Sequence, residues 1–227
     1  MLAGVSVARR PTEVVLEVTD RRSFVSAVDR PGWCRSGRTP EAALEALIEY
    51  AGRYAVVARL ARVRFSTAAG DALTVVEQLP GDATTAFGAP SIVAATDRRA
   101  LTAAEADRQV RLLSAGWQEL DRLAVEAPEQ LRKGPRGGGR DRDKVVDHVI
   151  EAERSYARTI GVRHPPFHDH AAVQACRAEI EDVLRAARSG EPMPKWTARY
   201  FLRRAAWHVL DHVWEIEDKS GPDREPA

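Results

Sequence analysis

The sequence predicts an α+β protein of two domains, in which a small β-β-β-α-β domain precedes an antiparallel four-helix bundle. Three observations lead to this prediction. Val- and Phe-rich runs typical of strands lie in the first 80 residues, helical periodicity follows residue 100, and the segment between them is rich in Gly, Pro, Thr and Ala without periodicity. We therefore place the first domain, the linker, the bundle and a disordered tail at 1–80, 81–100, 101–220 and 221–227.

The first domain is predicted to begin with a β-hairpin. Residues 13–28 contain two runs rich in Val, Leu and Phe, separated by a turn-like segment at 19–21. A helix follows to about residue 62, because Thr39 can cap free backbone N–H groups and Pro40 suits the first helical position. Two further strands are predicted at 62–65 and 73–79, so the order is β-β-(β)-α-β-β.

The second half of the chain is predicted to form four helices. The first begins at Thr102, which fits a capping box with Glu105, and continues to about residue 125. Since each helix must hide an apolar stripe, an antiparallel bundle is the natural packing. The other three helices are predicted at 141–160, 169–188 and 197–219.

Composition limits the function classes. The chain has 227 residues, 44% of them hydrophobic, and no apolar run near the roughly 18 residues that span a membrane. Its 34 Lys and Arg nearly balance 33 Asp and Glu, which disfavours binding of nucleic acid through bulk positive charge. Two isolated cysteines, Cys34 and Cys176, disfavour a disulfide scaffold, and the start lacks the order of a secretory signal. We therefore expect a folded cytoplasmic protein without membrane or nucleic-acid partners.

The six histidines all lie between residues 148 and 212. His208 and His212 are one helical turn apart on the last helix, and His148 lies at the same border of apolar and polar faces on the second. Three such imidazoles can converge on one metal ion and leave positions open for water or substrate. The alternative is that they are half-buried structural residues, satisfied by carbonyls or by Asp211 and Glu215.

The helical half resembles a known family. A helix with Asp147, His148 and Glu151 after a glycine-rich loop, and a last helix with Trp207-His208 and His212, resemble the DinB-like metal-binding four-helix bundles over about residues 100–219. This family includes thiol-dependent transferases and maleylpyruvate isomerases that use mycothiol or bacillithiol. The resemblance implies a divalent metal on His148, His208 and His212, with zinc first and nickel or iron as alternatives. It also implies a low-molecular-weight thiol as cofactor.

The first half has a resemblance of its own. Residues 28–44 carry the pair Pro31-Gly32, then Gly37, the cap Thr39 and a Glu-Ala-Leu helix start. They resemble the HicB-like β-β-β-α fold, over about residues 10–80. HicB antitoxins usually add a DNA-binding tail, which this chain lacks as a separate segment. We therefore expect a structural or dimerising module, and a homodimer.

The leading hypothesis is a metal-dependent thiol transferase or hydrolase. The metal would lower the pKa of a bound thiol or water and so supply a thiolate or hydroxide at neutral pH. By helical angle Arg204 and Glu215 border the opening, and we expect catalytic roles for both, Arg204 as an anion contact and Glu215 as a partner of a ligand. The alternatives are a non-catalytic interaction or antitoxin-like module with structural histidines, and a metal sensor without turnover.

Two other features are interpreted structurally. His164, His168 and His170 form a rival cluster, but about 24 Å of helix separates it from His148. We interpret it as a Pro-stiffened loop with Asp169 capping the third helix. The glycine-rich segment 133–142 has no P-loop pattern, and a flexible connector is favoured over an anion contact.

Overall fold

A computed structural model describes residues 11–133 and 139–221. Three sequence predictions concern segments outside these ranges. They are the lack of a secretory signal at the start of the chain, the flexible connector predicted at 133–142, of which 134–138 lie outside, and the disordered tail predicted at 221–227, of which 222–227 lie outside.

The strands of the sheet are β1 (Thr12–Val18), β2 (Ser23–Ala27), β3 (Cys34–Gly37) and β4 (Leu73–Pro80). The sheet is mixed and has the strand order β3-β2-β1-β4. Strands β1 and β2 form the predicted antiparallel hairpin, β3 pairs antiparallel to β2, and β4 pairs parallel to β1 on the other side.

The strand predicted at 62–65 is wrong. The chain leaves the preceding helix through a left-handed turn at Arg62 (φ 53°), and the Val63 N–H donates to the Ala58 carbonyl at 2.8 Å. The side chain of Val63 is buried, and Phe65 packs edge-on against Trp33 with ring centroids 4.9 Å apart. The β-branched and aromatic residues of this segment therefore fill the core without pairing in the sheet.

The helix predicted from Thr39 to about residue 62 is two helices, α1 (Pro40–Glu49) and α2 (Ala51–Leu60). Thr39 caps α1 as expected, because its side chain accepts from the Ala42 N–H at 3.2 Å. Behind the helices lies Trp33, which is fully buried, stacks on Tyr54 and donates from its indole to the Leu47 carbonyl at 2.9 Å. The indole thus links the loop before β3 to both helices.

The segment predicted as a linker has structure of its own. It contains the short helix α3 (Ala83–Phe87), capped by Asp82, and a 3-10 turn at Ala95–Arg98. Glu77 on β4 accepts from the Ala95 N–H at 2.8 Å, so this segment is attached to the edge strand of the sheet.

Four longer helices follow and pack against one another. The capping box predicted at Thr102 is present, with Glu105 N–H donating to the Thr102 hydroxyl at 3.2 Å and Thr102 N–H donating to the Glu105 carboxylate at 2.8 Å. Across the described residues, the helices are too short or too polar to pass through a bilayer. The bounds are Ala103–Glu126 for α4, Arg142–Ala157 for α5, His170–Ala186 for α6 and Ala198–Ser220 for α7.

One continuous hydrophobic core joins the sheet half to the helical half. At the junction Gly32 (φ 88°) lies so close to α7 that a Cβ atom there would meet Leu210 Cδ1 at 2.5 Å. A side chain at this turn would force Leu210 to move and would be strained in the left-handed backbone conformation that glycine adopts here. Buried members from both sides include Val14, Leu47, Tyr54, Leu113, Leu202 and Leu210.

A buried ion cluster fixes α7 against the rest of the molecule. Arg203 on α7 donates to Glu17 on β1 at 3.2 Å and to both carboxylate oxygens of Asp97. Their side chains are 6%, 1% and 6% exposed. Burial lowers the pKa of Arg203, but the carboxylates of Asp97 and Glu17 outweigh it and raise this pKa above its usual value. Glu17 also accepts from the Thr85 hydroxyl and the Ser91 N–H, both at 2.8 Å.

We predict that Arg203→Met lowers the free energy of unfolding by about 3–5 kcal/mol, because two buried carboxylates lose their counter-charge. Chemical denaturation followed by circular dichroism measures this loss. The matched control is Arg99→Met, whose ion pair with Glu13 is about half exposed (50% and 42%) and should contribute below about 1 kcal/mol. Equal losses in the two variants would contradict the importance of the cluster.

Candidate metal centre

Helices α5 and α7 carry the three histidines of the site. Thr197 caps α7, since its hydroxyl accepts from the Tyr200 N–H at 3.1 Å. The apolar face of α7 packs into the core. The edge of α7 that carries His208 and His212 meets the edge of α5 that carries His148. The buried apolar residues beside the histidines are Val209, Leu210, Val213 and Ile216.

The nitrogens of His148, His208 and His212 that could bind a metal all lie within 4.8 Å of one another. His208 Nε2 is 3.3 Å from His148 Nε2. Two nitrogens held by one tetrahedral zinc at about 2.0–2.1 Å are themselves about 3.3 Å apart. The histidines predicted as ligands are therefore close enough together to bind a metal ion. The ring centroids are 5.1 Å apart for His148 and His208 and 4.8 Å apart for His208 and His212.

Burial keeps the central imidazole neutral. His208 is 7% exposed, and burial, followed by the neighbouring His212 and His148, lowers its pKa to about 3. The pKa of His148 is also lowered, first by burial and then by Arg140 and His212. Neutral imidazole is the form that binds metals, so these side chains lose no proton when they become ligands.

Glu215 contacts His212, as the sequence predicts for a partner of a ligand. Its carboxylate lies 2.7 Å from His212 Nδ1, and it also accepts from Lys219. The hydrogen bond from His212 lowers the pKa of Glu215 to about 2, with burial opposing and Lys219 adding to the effect. An Nδ1–H held by a carboxylate leaves Nε2 free as the ligand atom.

Arg204 lies one turn before His208 on α7. Its guanidinium is 5.0 Å from the ring centroid of Trp207 and 5.8 Å from that of Tyr156, and it donates to the Pro90 carbonyl. Tyr156 in turn lies edge-on to His208, with centroids 5.8 Å apart. Arg204 is thus half-buried in an aromatic surround beside the histidines.

The sheet half supports α7 in a way that sequence reasoning missed. Trp207 packs edge-on against Phe24 of β2 at 5.8 Å, and Arg35 of β3 binds Asp211 at 2.9 Å. Arg35 also lies over the ring of Trp214, 4.3 Å from its centroid. The carboxylate of Asp211 therefore pairs with Arg35, whereas the alternative interpretation expected it to hydrogen-bond a histidine. Since 176 residues separate Arg35 from Asp211, no local pattern signals the pair.

The rival histidines make other contacts. His164 lies 2.8 Å from Glu179, and His170 lies 3.1 Å from Gln174 with its side chain 67% exposed. Asp169 caps α6 as predicted, accepting from the Ala172 N–H at 2.8 Å. Within the ranges 11–133 and 139–221, the only group of three or more side chains spaced for a metal is the trio on α5 and α7.

The two cysteines are buried and unreactive in character. Burial is the main cause that raises the pKa of Cys34 to about 12 and that of Cys176 to about 11. Both thiols therefore stay protonated at neutral pH and pack as small apolar groups.

Comparison with known proteins yields no relative. No protein-family model matches the chain, and no curated protein or solved structure is significantly similar to it. The function must therefore be inferred from the site and its surroundings.

We predict that Glu215→Gln weakens the affinity for added Zn²⁺ by about 10- to 100-fold, because the carboxylate orients His212 and strengthens it as a ligand. Competition with a chelator measures this affinity. The matched control is Glu217→Gln on the same helix, whose carboxylate binds Arg53 at 2.7 Å on another face. An equal loss in both variants would show that helix charge, and not the hydrogen bond, sets the affinity.

Proposed function

We propose that the protein is a metal-dependent enzyme in which His148, His208 and His212 hold one divalent metal. The observation that carries the proposal is the 3.3 Å approach of the Nε2 atoms of the half-buried His148 and the buried His208, with a third histidine adjacent and a carboxylate behind it. Three neutral nitrogen donors with a further open position are typical of catalytic zinc sites, and nickel and iron accept the same donors. We therefore favour zinc, with nickel or iron as alternatives.

The proposed reaction is transfer of a thiol, or of water, to a small molecule. A bound metal ion supplies Lewis acidity, which lowers the pKa of the thiol or water that it binds. The resemblance of the helical half to DinB-like bundles supports a low-molecular-weight thiol as cofactor. The chain's own residues orient the ligands through Glu215 and wall the site with Tyr156 and Trp207.

The test is metal content, measured by mass spectrometry on tag-free protein before and after reconstitution with Zn²⁺. We expect one metal ion per chain in the wild type. Loss of a residue that only hydrogen-bonds a ligand typically weakens metal affinity by about 10- to 100-fold. His148→Ala and His208→Ala each remove a ligand itself, so each should weaken Zn²⁺ binding by more than this. A screen of thiols with small electrophiles follows, with His208→Ala as the inactive reference.

His170→Ala is the matched control for these variants, because His170 is exposed and lies outside the trio. It should keep the full metal content. Circular dichroism of each variant separates loss of a ligand from loss of the fold. Metal retained by folded His148→Ala and His208→Ala proteins would overturn the proposal and leave the histidines structural.

A further inference from the structure

Arg204 is a half-buried arginine on α7. Among the described residues no Asp or Glu oxygen lies within 4.0 Å of its guanidinium, whereas its neighbour Arg203 has two carboxylate partners. One nitrogen, Nη1, donates to the Pro90 carbonyl. A guanidinium has five N–H donors in a planar fork, so most of this fork is left for another acceptor.

Aromatic side chains hold Arg204 in place beside the histidines. Its guanidinium lies 5.0 Å from the Trp207 centroid, and Tyr156, 5.8 Å away, in turn borders His208. Trp207 is itself fixed by its contact with Phe24. Cation–π contacts restrain the guanidinium without neutralising its charge, so the charge stays available to a ligand.

A second positive group, Arg140, lies in the segment that passes beside Lys219 and Glu215. Gly139 lies against Lys219, whose Nζ would be 3.6 Å from a Cβ atom on Gly139, and Lys219 binds Glu215. Arg140 follows Gly139 directly and has no carboxylate within 4.0 Å among the residues that the structure describes. Among the described residues, Glu215 is the carboxylate that contacts the trio, and Lys219 already balances its charge.

We propose that the molecule bound at the open metal position carries an anionic group, a carboxylate or sulfonate, which is bound by Arg204 and attracted by Arg140. This inference rests on the proposed function and names the class of its ligand, a small organic anion. Arginine suits it because its fork donates two parallel hydrogen bonds to such groups. Trp207 and Tyr156 supply a flat wall for the rest of the molecule.

The test uses cobalt(II)-loaded protein and two thiols of similar size, 2-mercaptoethanesulfonate and neutral 2-mercaptoethanol. Thiolate binding is followed by the sulfur-to-cobalt charge-transfer absorption, which reports a dissociation constant without turnover. We expect the sulfonate to bind about tenfold more tightly, as for a charge-assisted hydrogen bond in a half-buried site. Arg204→Gln should remove this preference and Arg140→Gln should reduce it, with the cobalt content unchanged.

Arg64→Gln is the matched control, since Arg64 is exposed in the sheet half and lies far along the chain from α7. It should keep the full preference. A second comparison decides whether the anionic group belongs to the thiol cofactor or to the acceptor molecule. Benzoate and neutral benzamide are added separately to protein saturated with 2-mercaptoethanol, and their dissociation constants are compared. Tighter binding of benzoate that depends on Arg204 assigns it to the acceptor, and a preference confined to the thiols assigns it to the cofactor.

The outcomes separate this inference from the proposed function. Equal dissociation constants for the two thiols, and for benzoate and benzamide, would overturn the anion subsite and leave the metal–thiol function standing. No charge-transfer band with either thiol would overturn thiol activation together with this inference. A preference that survives in Arg204→Gln would remove Arg204 from the subsite.

Discussion

The ion cluster of Arg203 with Glu17 and Asp97 is the interaction on which the rest of the structure depends. It joins the last helix, the first strand and the segment between the two halves at one buried point. Burying a guanidinium is costly unless carboxylates surround it, so α7 can take up only the position in which both partners are reached. Arg204 and the two histidines of α7 lie within the next few turns of the same helix. Their positions are therefore set by a contact outside the site itself.

The sheet half takes part in the site without supplying a metal-capable histidine. Phe24 supports Trp207, and Arg35 holds Asp211, which precedes His212 in the chain. Arg35 is also held by the rings of Tyr50 and Trp214 at 3.4 and 4.3 Å. The sheet thus packs along the flank of α7 next to the histidines. This arrangement gives the first half a physical role, namely the support of the helix that carries two of the three proposed ligands.

The features that were predicted correctly from the sequence are those set by residues close together in the chain. The four-residue spacing of His208 and His212 and the capping box at Thr102 are local, because the helix itself brings the groups together. The strand predicted at 62–65 failed because β-propensity there reflects burial of Val63 and Phe65, which depends on tertiary packing. The pairing of Arg35 with Asp211 could not be predicted for the same reason, since contacts between distant segments leave no local signal. The approach of His148 to His208 was expected because each histidine lies at the border of the apolar and polar faces of its helix, and such borders can meet when helices pack together.

The central claim is that three imidazoles bind one metal ion, and X-ray absorption spectroscopy of the zinc-loaded protein tests it most directly. We predict nitrogen or oxygen scatterers at about 2.0–2.1 Å, multiple scattering from three imidazole rings and no sulfur in the absence of added thiol. Addition of a thiol should introduce one sulfur at about 2.3 Å. A spectrum with fewer than three imidazoles, or with sulfur from the protein itself, would contradict the account.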